Sequence, residues 1–213
     1  SQIPGLENAL TSDGILELDR NPAKIGILGS GYIATEFASI LASLGIDVSL
    51  FFRADLPLKG FDTDIRRRLK DHMENNGLKI YAKSQLRSIE KKAEDIQVNL
   101  TDDVFHFDTV LNALGRSPNT KGLFVEGQAP LMGDKGEIIV NEKSESSIEG
   151  IFAIGDVTDR VNLTPVAIAE GRAVAENLFN EKRLQVNHAD VATAVFTTPP
   201  IGTIGITEDA AIK

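Results

Sequence analysis

Gly29, Gly31 and Ala34 stand at the spacing G-x-G-x-x-A within KIGILGSGYIATEFASIL, residues 24–41. That spacing suits one task. Two glycines allow a tight turn whose backbone can approach a pyrophosphate, and a small third residue lets a helix start hard against a strand. The N–H groups of the first helical turn, around Tyr32 and Ile33, then present positive dipole charge to the phosphates. KIGIL before the turn is a continuous apolar run, as in a buried parallel strand. Ile33, Phe37, Ile40 and Leu41 after it recur at helical spacing until Gly45. IDVSLFF supplies a second strand, so 24–52 has the size of one βαβ unit, about thirty residues. The turn reads as a dinucleotide site.

The end of the second strand selects the nucleotide. A pocket for NAD places Asp or Glu there to bind the ribose 2′-OH. This chain has Phe52 and then Arg53, with Lys59 a few residues on. Two cations bind a 2′-phosphate that a carboxylate would repel, which points to NADPH. Asp55 is the one discordant residue nearby. Ala38, one turn after Ala34, adds a second small position of the kind associated with NADPH. The alternative is that Arg53 and Lys59 are ordinary exposed charges.

Other elements must position these residues. A short helix through GILEL is expected after a cap at Thr11-Ser12-Asp13, and another helix over Asp62–Asn75. GLKIYAKS is a short strand, and LRSIEKKA, DIQVNL, VFHFD and TVLNALG alternate like a meander. GRSPNT closes this first unit near Thr120. Residues 121–149 read as long connections, and GIFAIGDV as a short buried strand ending in Gly155-Asp156. TPVAIAEGRAVAENLF reads as a helix with Thr164 as N-cap and Pro165 at its first position. ATAVFTTPPIGTIGIT offers two short β runs. The fold class is α/β: a three-layer Rossmann-like dinucleotide-binding domain, built from βαβ plus an antiparallel meander, with part of a second α/β domain of FAD-binding type.

Composition narrows the chemistry. The chain has no cysteine, which excludes disulfides, zinc-thiolate sites and thiol chemistry by these residues. His72, His106 and His188 lack metal-ligand spacing, so no metal is expected. A net charge of -9 disfavours nucleic acid and anionic membranes as partners. The triplet Arg66-Arg67-Arg68 reads as the solvated face of an amphipathic helix. No signal peptide or membrane span is visible, and a cytoplasmic location is expected.

The blocks GSGYIATEFA, SLFFRADLPLKGFD, NALGRSPNT, GIFAIGDV, NLTPVAIAEGR and VFTTPPIGTIG occur in one order across nearly the whole chain. In these the sequence resembles the flavin-dependent pyridine nucleotide-disulfide oxidoreductases. Within them it is most similar to the glutathione reductase branch, through Arg53 with Lys59 and the TTPPIGTIG ending. The resemblance implies two cofactors, NADP(H) and FAD. It assigns Gly29, Gly31, Ile33 and Ala34 to the pyrophosphate, and Arg53 and Lys59 to the 2′-phosphate. Tyr32 becomes an aromatic lid over the nicotinamide pocket, and Glu36 the partner of a lysine beside the flavin. Ala113, Gly115 and Arg116 lie near the nicotinamide nucleotide. Gly155 and Asp156 contact the flavin ribitol, and the helix start at Leu163 and Thr164 faces the isoalloxazine.

The same resemblance divides the chain into a linker with a short helix (1–20), an NADPH domain (21–120), a return segment of the FAD domain (121–188) and the start of an interface domain (189–213). A complete relative adds an FAD fingerprint, a redox cysteine pair and a His-Glu couple. None is in this sequence, so the expectation is a fragment without turnover, drawn from a homodimeric parent acting on a small disulfide such as glutathione disulfide. Two alternatives stay open: a relative acting on lipoamide, mercuric ion or trypanothione, and a stand-alone NADPH-binding module.

Overall fold

The computed structural model describes residues 3–213. It divides into two compact units, one running up to Gly115 and including Thr193–Lys213, the other Arg116–Ala192.

In the first unit, strands β1 (Lys24–Leu28), β2 (Asp47–Phe51), β3 (Lys79–Tyr81) and β7 (Thr109–Asn112) form a parallel sheet in the order β3-β2-β1-β7. Strands β4 (Leu86–Lys91), β5 (Ile96–Leu100) and β6 (Val104–Phe107) form a separate antiparallel meander. TVLN therefore leaves the meander in which its alternation placed it. Val110 and Leu111 are both fully buried, and a strand apolar on both sides belongs where both sheet faces are covered.

Helices α1 (Ser12–Leu16), α2 (Tyr32–Ser43) and α3 (Thr63–Asn75) belong to the same unit. One face of the sheet packs Ile25, Ile27, Val48 and Leu50 against Ala34, Ala38, Leu69 and Met73 from α2 and α3. The other packs Leu28, Phe51 and Val110 against Ile89, Val98 and Phe107 of the meander. The result is three layers: helices, parallel sheet, meander. Along α2 the buried residues are Ala34, Thr35, Ala38, Ser39 and Leu41, whereas Ile40 is exposed. The small residues face the sheet because they let the helix axis come close, so the large apolar positions do not mark the buried face on their own. The Asp62 carboxylate caps α3 through the Asp64 N–H.

The C-terminal residues add an antiparallel hairpin, β8 (Thr193–Val195) with β9 (Ile201–Thr203), and a short helix α5 (Glu208–Ala211). Val195 is fully buried in the helix-side core of the first unit.

The second unit is built largely from long connections. GIFAIGDV is not a strand there: Phe152 forms one isolated bridge with Glu145, and Gly155–Thr158 turn into a 3-10 helix. No further strand of this unit extends that bridge among the described residues, and Ile154 stays exposed. Helix α4 (Thr164–Phe179) follows. Its N-cap is Leu163, one residue earlier than expected, because the Leu163 carbonyl already accepts from the Val166 and Ala167 amides. Thr164 and Pro165 therefore occupy the first two helical positions, where a residue without an N–H costs nothing.

Candidate functional site

Gly29 ends β1 at φ 129°, and a Cβ there would stand 2.1 Å from the carbonyl oxygen of Ala113. Its amide donates to the Phe51 carbonyl at 2.9 Å, and the Ala113 amide donates to Leu28 at 2.8 Å. The turn is thus clamped between the carboxyl ends of β1, β2 and β7, the end of an open α/β sheet where ligands bind. Gly31 differs. It is the N-cap of α2 at φ -84°, and a Cβ on it would meet nothing within 4 Å. No side chain caps α2, whose first turn leaves its dipole end uncovered. Gly29 is a glycine because the fold closes on it; Gly31 leaves open the space in front of a helix N-terminus, as a phosphate cradle requires. Gly115, at φ 152°, is exposed with open space around it.

The loop after β2 is anchored to this turn. The Leu58 amide donates to the Ser30 carbonyl at 2.7 Å, and the Leu58 carbonyl accepts from Phe61 at 3.1 Å. Leu58 is only 2% exposed and sits at φ 51°. A non-glycine residue in that left-handed region costs about 1–2 kcal/mol, which burial of a leucine offsets. Arg53 and Lys59 are exposed on either side, and neither forms an ion pair among the described residues. Asp55, the discordant carboxylate, is paired instead with Lys83 at 2.9 Å. The pair is highly exposed and contributes little to stability. It nevertheless engages the carboxylate that lies between Arg53 and Lys59 in the chain.

Contrary to the expectation for the Arg66-Arg67-Arg68 triplet, Arg66 does not lie on a solvated face. Arg67 and Arg68 are exposed, but Arg66 is half-buried and donates from Nε to the Pro57 carbonyl at 2.6 Å and from Nη2 to Leu56 at 3.0 Å.

Tyr32 opens α2 with its ring edge-on to Phe61, centroids 5.7 Å apart, and is 38% exposed. Burial first, and the Glu36 carboxylate second, push its hydroxyl above the ordinary tyrosine range, so it is a neutral group near pH 7. Glu36 Oε1 accepts from the Phe196 amide at 2.8 Å. Its partner in this structure is thus a backbone N–H at the end of β8. No spacing rule brings residues 36 and 196 together, and the sequence carries no sign of this contact.

In the second unit Gly155 begins the 3-10 turn at φ 67°, and a Cβ there would lie 3.1 Å from the Ala167 Cβ of α4. Asp156 is exposed beside it, with Arg116 at 3.8 Å. Leu163 and Thr164 lie at the start of α4, which no side chain caps. Behind this turn is Glu170, 2% exposed. Its Oε1 accepts from Arg160 and from His188, each at 2.7 Å, and its Oε2 from the Gly155 amide at 2.6 Å. Glu170 escaped the sequence reading, although a lone carboxylate in the small-residue run AIAEGRAVA was a visible signal. Among the described residues no group of three or more His, Cys, Asp or Glu could hold a metal ion. Nor, among the described residues, is any helix long and apolar enough to cross a membrane.

Residues 1–171 match the model of the pyridine nucleotide-disulphide oxidoreductase family. A glutathione reductase of Nostoc sp. strain PCC 7120 is 42% identical over 97% of this chain and 48% of its own length. Glutathione reductases of Burkholderia cepacia and of Pisum sativum are 39% and 41% identical, covered over 46% and 39% of their lengths. The chain thus spans about half the length, or less, of these relatives. Among solved structures, the HOCl-induced flavoprotein disulfide reductase RclA of Escherichia coli superposes with a TM-score of 0.93 at 30% identity, over all of this chain and 50% of that one. LpdA of Mycobacterium tuberculosis gives a TM-score of 0.89 at 27% identity, over 98% of this chain and 46% of that one. The three-layer nucleotide fold and the family match together establish that the chain belongs to the pyridine nucleotide-disulphide oxidoreductases.

Proposed function

We propose that this chain is the NADPH-binding portion, and part of the FAD-binding portion, of an NADPH-dependent flavoprotein disulfide reductase of the glutathione reductase type. The observation that carries the cofactor assignment lies just after β2: among the described residues Arg53 and Lys59 form no ion pair, while Asp55 is engaged by Lys83. That leaves net positive charge where a 2′-phosphate binds and an NAD site would hold a carboxylate. The open space at Gly31 and the uncapped start of α2 fit the pyrophosphate.

In this reading Gly29 and Ala34 shape the turn, and the amides around Ile33 hold phosphate oxygens. Arg53 and Lys59 grip the 2′-phosphate. Tyr32 covers the nicotinamide side as a neutral, movable lid, and Ala113, Gly115 and Arg116 border the nicotinamide nucleotide. Glu36 holds α2 to the Phe196 backbone and keeps its second oxygen for a cation beside the flavin. Gly155, Asp156, Leu163 and Thr164 provide the part of the FAD site that this chain contains. NADPH supplies a hydride and FAD accepts it when both are bound. Residues 21–120 form the NADPH domain, 121–188 the return segment of the FAD domain, and 189–213 the start of an interface domain. The whole enzyme is a homodimer reducing glutathione disulfide in the cytoplasm, and its redox thiols lie outside this chain, which alone has no turnover.

Titration of the chain with NADPH and NADH tests the cofactor assignment. NADPH binds at least about tenfold more tightly, and Arg53→Glu removes that margin. Equal affinities in the wild type, or an unchanged preference in Arg53→Glu, would sink it.

A further inference from the structure

Arg66 lies in the first turn of α3, its amide donating to the Asp62 carbonyl at 3.1 Å. Its guanidinium holds two consecutive carbonyls, Pro57 at 2.6 Å and Leu56 at 3.0 Å, in the middle of the segment that begins with Arg53 and ends with Lys59. We propose that Arg66 is a positioning residue for cofactor selectivity, acting on the 2′-phosphate through the loop it holds rather than by contact. The proposal rests on the NADPH reading above.

Three features of the loop make Arg66 more than a packing residue. First, planar donors on successive carbonyls fix two peptide planes at once, a task for the guanidinium fork that an ammonium cannot reproduce. Second, carbonyl oxygens carry the negative end of the peptide dipole. With those of Leu56 and Pro57 turned onto Arg66, they do not oppose an anion held by the neighbouring cations. Third, the next residue, Leu58, is tied by its amide to Ser30, inside the glycine turn. The loop is therefore held at both sides, by Arg66 on α3 and by the pyrophosphate turn. Arg53 and Lys59 themselves have no partner among the described residues. What limits their freedom is the backbone between them, and ordering that backbone in advance lowers the cost of binding.

A cofactor without the 2′-phosphate gains nothing from this arrangement. The effect should appear in the ratio of NADPH to NADH affinity, with the fold untouched. The test is titration of wild type, Arg66→Leu and Arg66→Lys with each nucleotide, alongside hydrogen exchange at the Leu58 amide. Arg66→Leu should weaken NADPH roughly tenfold, change NADH by less than about twofold, and speed exchange at Leu58. Arg66→Lys, keeping the charge but one contact at best, should fall between. Equal weakening of both nucleotides, or no change in either, would overturn the proposal. Should Arg66→Leu fail to fold, the ratio in Arg66→Lys and Arg66→Gln decides, and a wild-type ratio in both overturns it. A wild type without NADPH preference defeats the cofactor reading itself, before any variant at 66 is made.

Discussion

Glu36 Oε1 lies 2.8 Å from the amide nitrogen of Phe196 and accepts its hydrogen bond, joining the second turn of α2 to the end of β8. The contact gives a residue expected to serve the flavin side an anchoring role within its own unit. The two roles separate by substitution. Glu36→Gln retains an acceptor oxygen for Phe196 and should cost less than about 1 kcal/mol, whereas Glu36→Ala strands a backbone N–H and should cost about 1–2 kcal/mol. Urea denaturation monitored by circular dichroism measures both. Equal losses in the two variants would show that the charge, rather than the acceptor, stabilises the contact.

The two glycines of the turn should fail in different ways. Gly29→Ala forces a Cβ onto the Ala113 carbonyl at 2.1 Å, at a φ of 129°, and should destabilise the fold by about 3 kcal/mol or more. Gly31→Ala has room and an ordinary φ, so its melting temperature should stay near that of wild type. Nucleotide affinity should nevertheless fall, since the methyl group fills the space that the proposed function assigns to phosphate. A Gly31→Ala variant that binds NADPH at full strength would exclude that space as the pyrophosphate cradle.

Glu170 meets the Arg160 guanidinium, the His188 ring and one amide from a buried position. Glu170→Ala leaves the Arg160 guanidinium without its counter-charge, the His188 ring without its partner and the Gly155 N–H without its acceptor. A loss of about 3–5 kcal/mol is expected from thermal or urea unfolding. Glu170→Gln preserves an acceptor and should lie between wild type and alanine. Parity of alanine with wild type would mean that the cluster is held open to water rather than buried.

Acid should loosen the C-terminal segment where it is held by Asp62. Its carboxylate accepts from the amides of Glu208 at 3.2 Å and Asp64 at 3.0 Å, and these bonds, that from Glu208 foremost, hold its pKa below the ordinary carboxylate value. A depressed folded pKa means the stabilisation is complete above the unfolded value and fades as pH falls through the folded one. Hydrogen exchange at Glu208 should therefore accelerate, beyond its intrinsic pH trend, as the pH falls below the ordinary carboxylate range. In Asp62→Asn that pH-dependent component should vanish. Its persistence in the asparagine variant would assign the effect to another carboxylate.

Much of the site was legible because it is local. The strand, turn and helix around Gly29 and Gly31 are contiguous, and their spacing carries the backbone geometry directly. Arg53 and Lys59 were readable for the same reason, since position at a strand end follows from the strand itself. Helix caps were readable to within one residue: Thr11 caps α1 through the Gly14 amide as expected, while Leu163 took the place assigned to Thr164. TVLN was misplaced because alternation describes a strand without naming its neighbours. GIFAIGDV was misread as a strand because a buried apolar run says nothing of whether a ladder partner lies beside it.

The sequence by itself determined a βαβ nucleotide fold, the glycine turn and the cations beyond β2, because each depends on residues a few positions apart. Only the tertiary structure decided which neighbouring groups those cations face among the described residues. Lys83, folded back beside Asp55, neutralises the discordant carboxylate, and Arg66, one helix later, takes the loop carbonyls rather than solvent. Hydrogen bonds and ion pairs between distant segments depend on distances that chain order does not encode. On the proposed reading, the selectivity of this site is a property of the packed loop rather than of the motif alone.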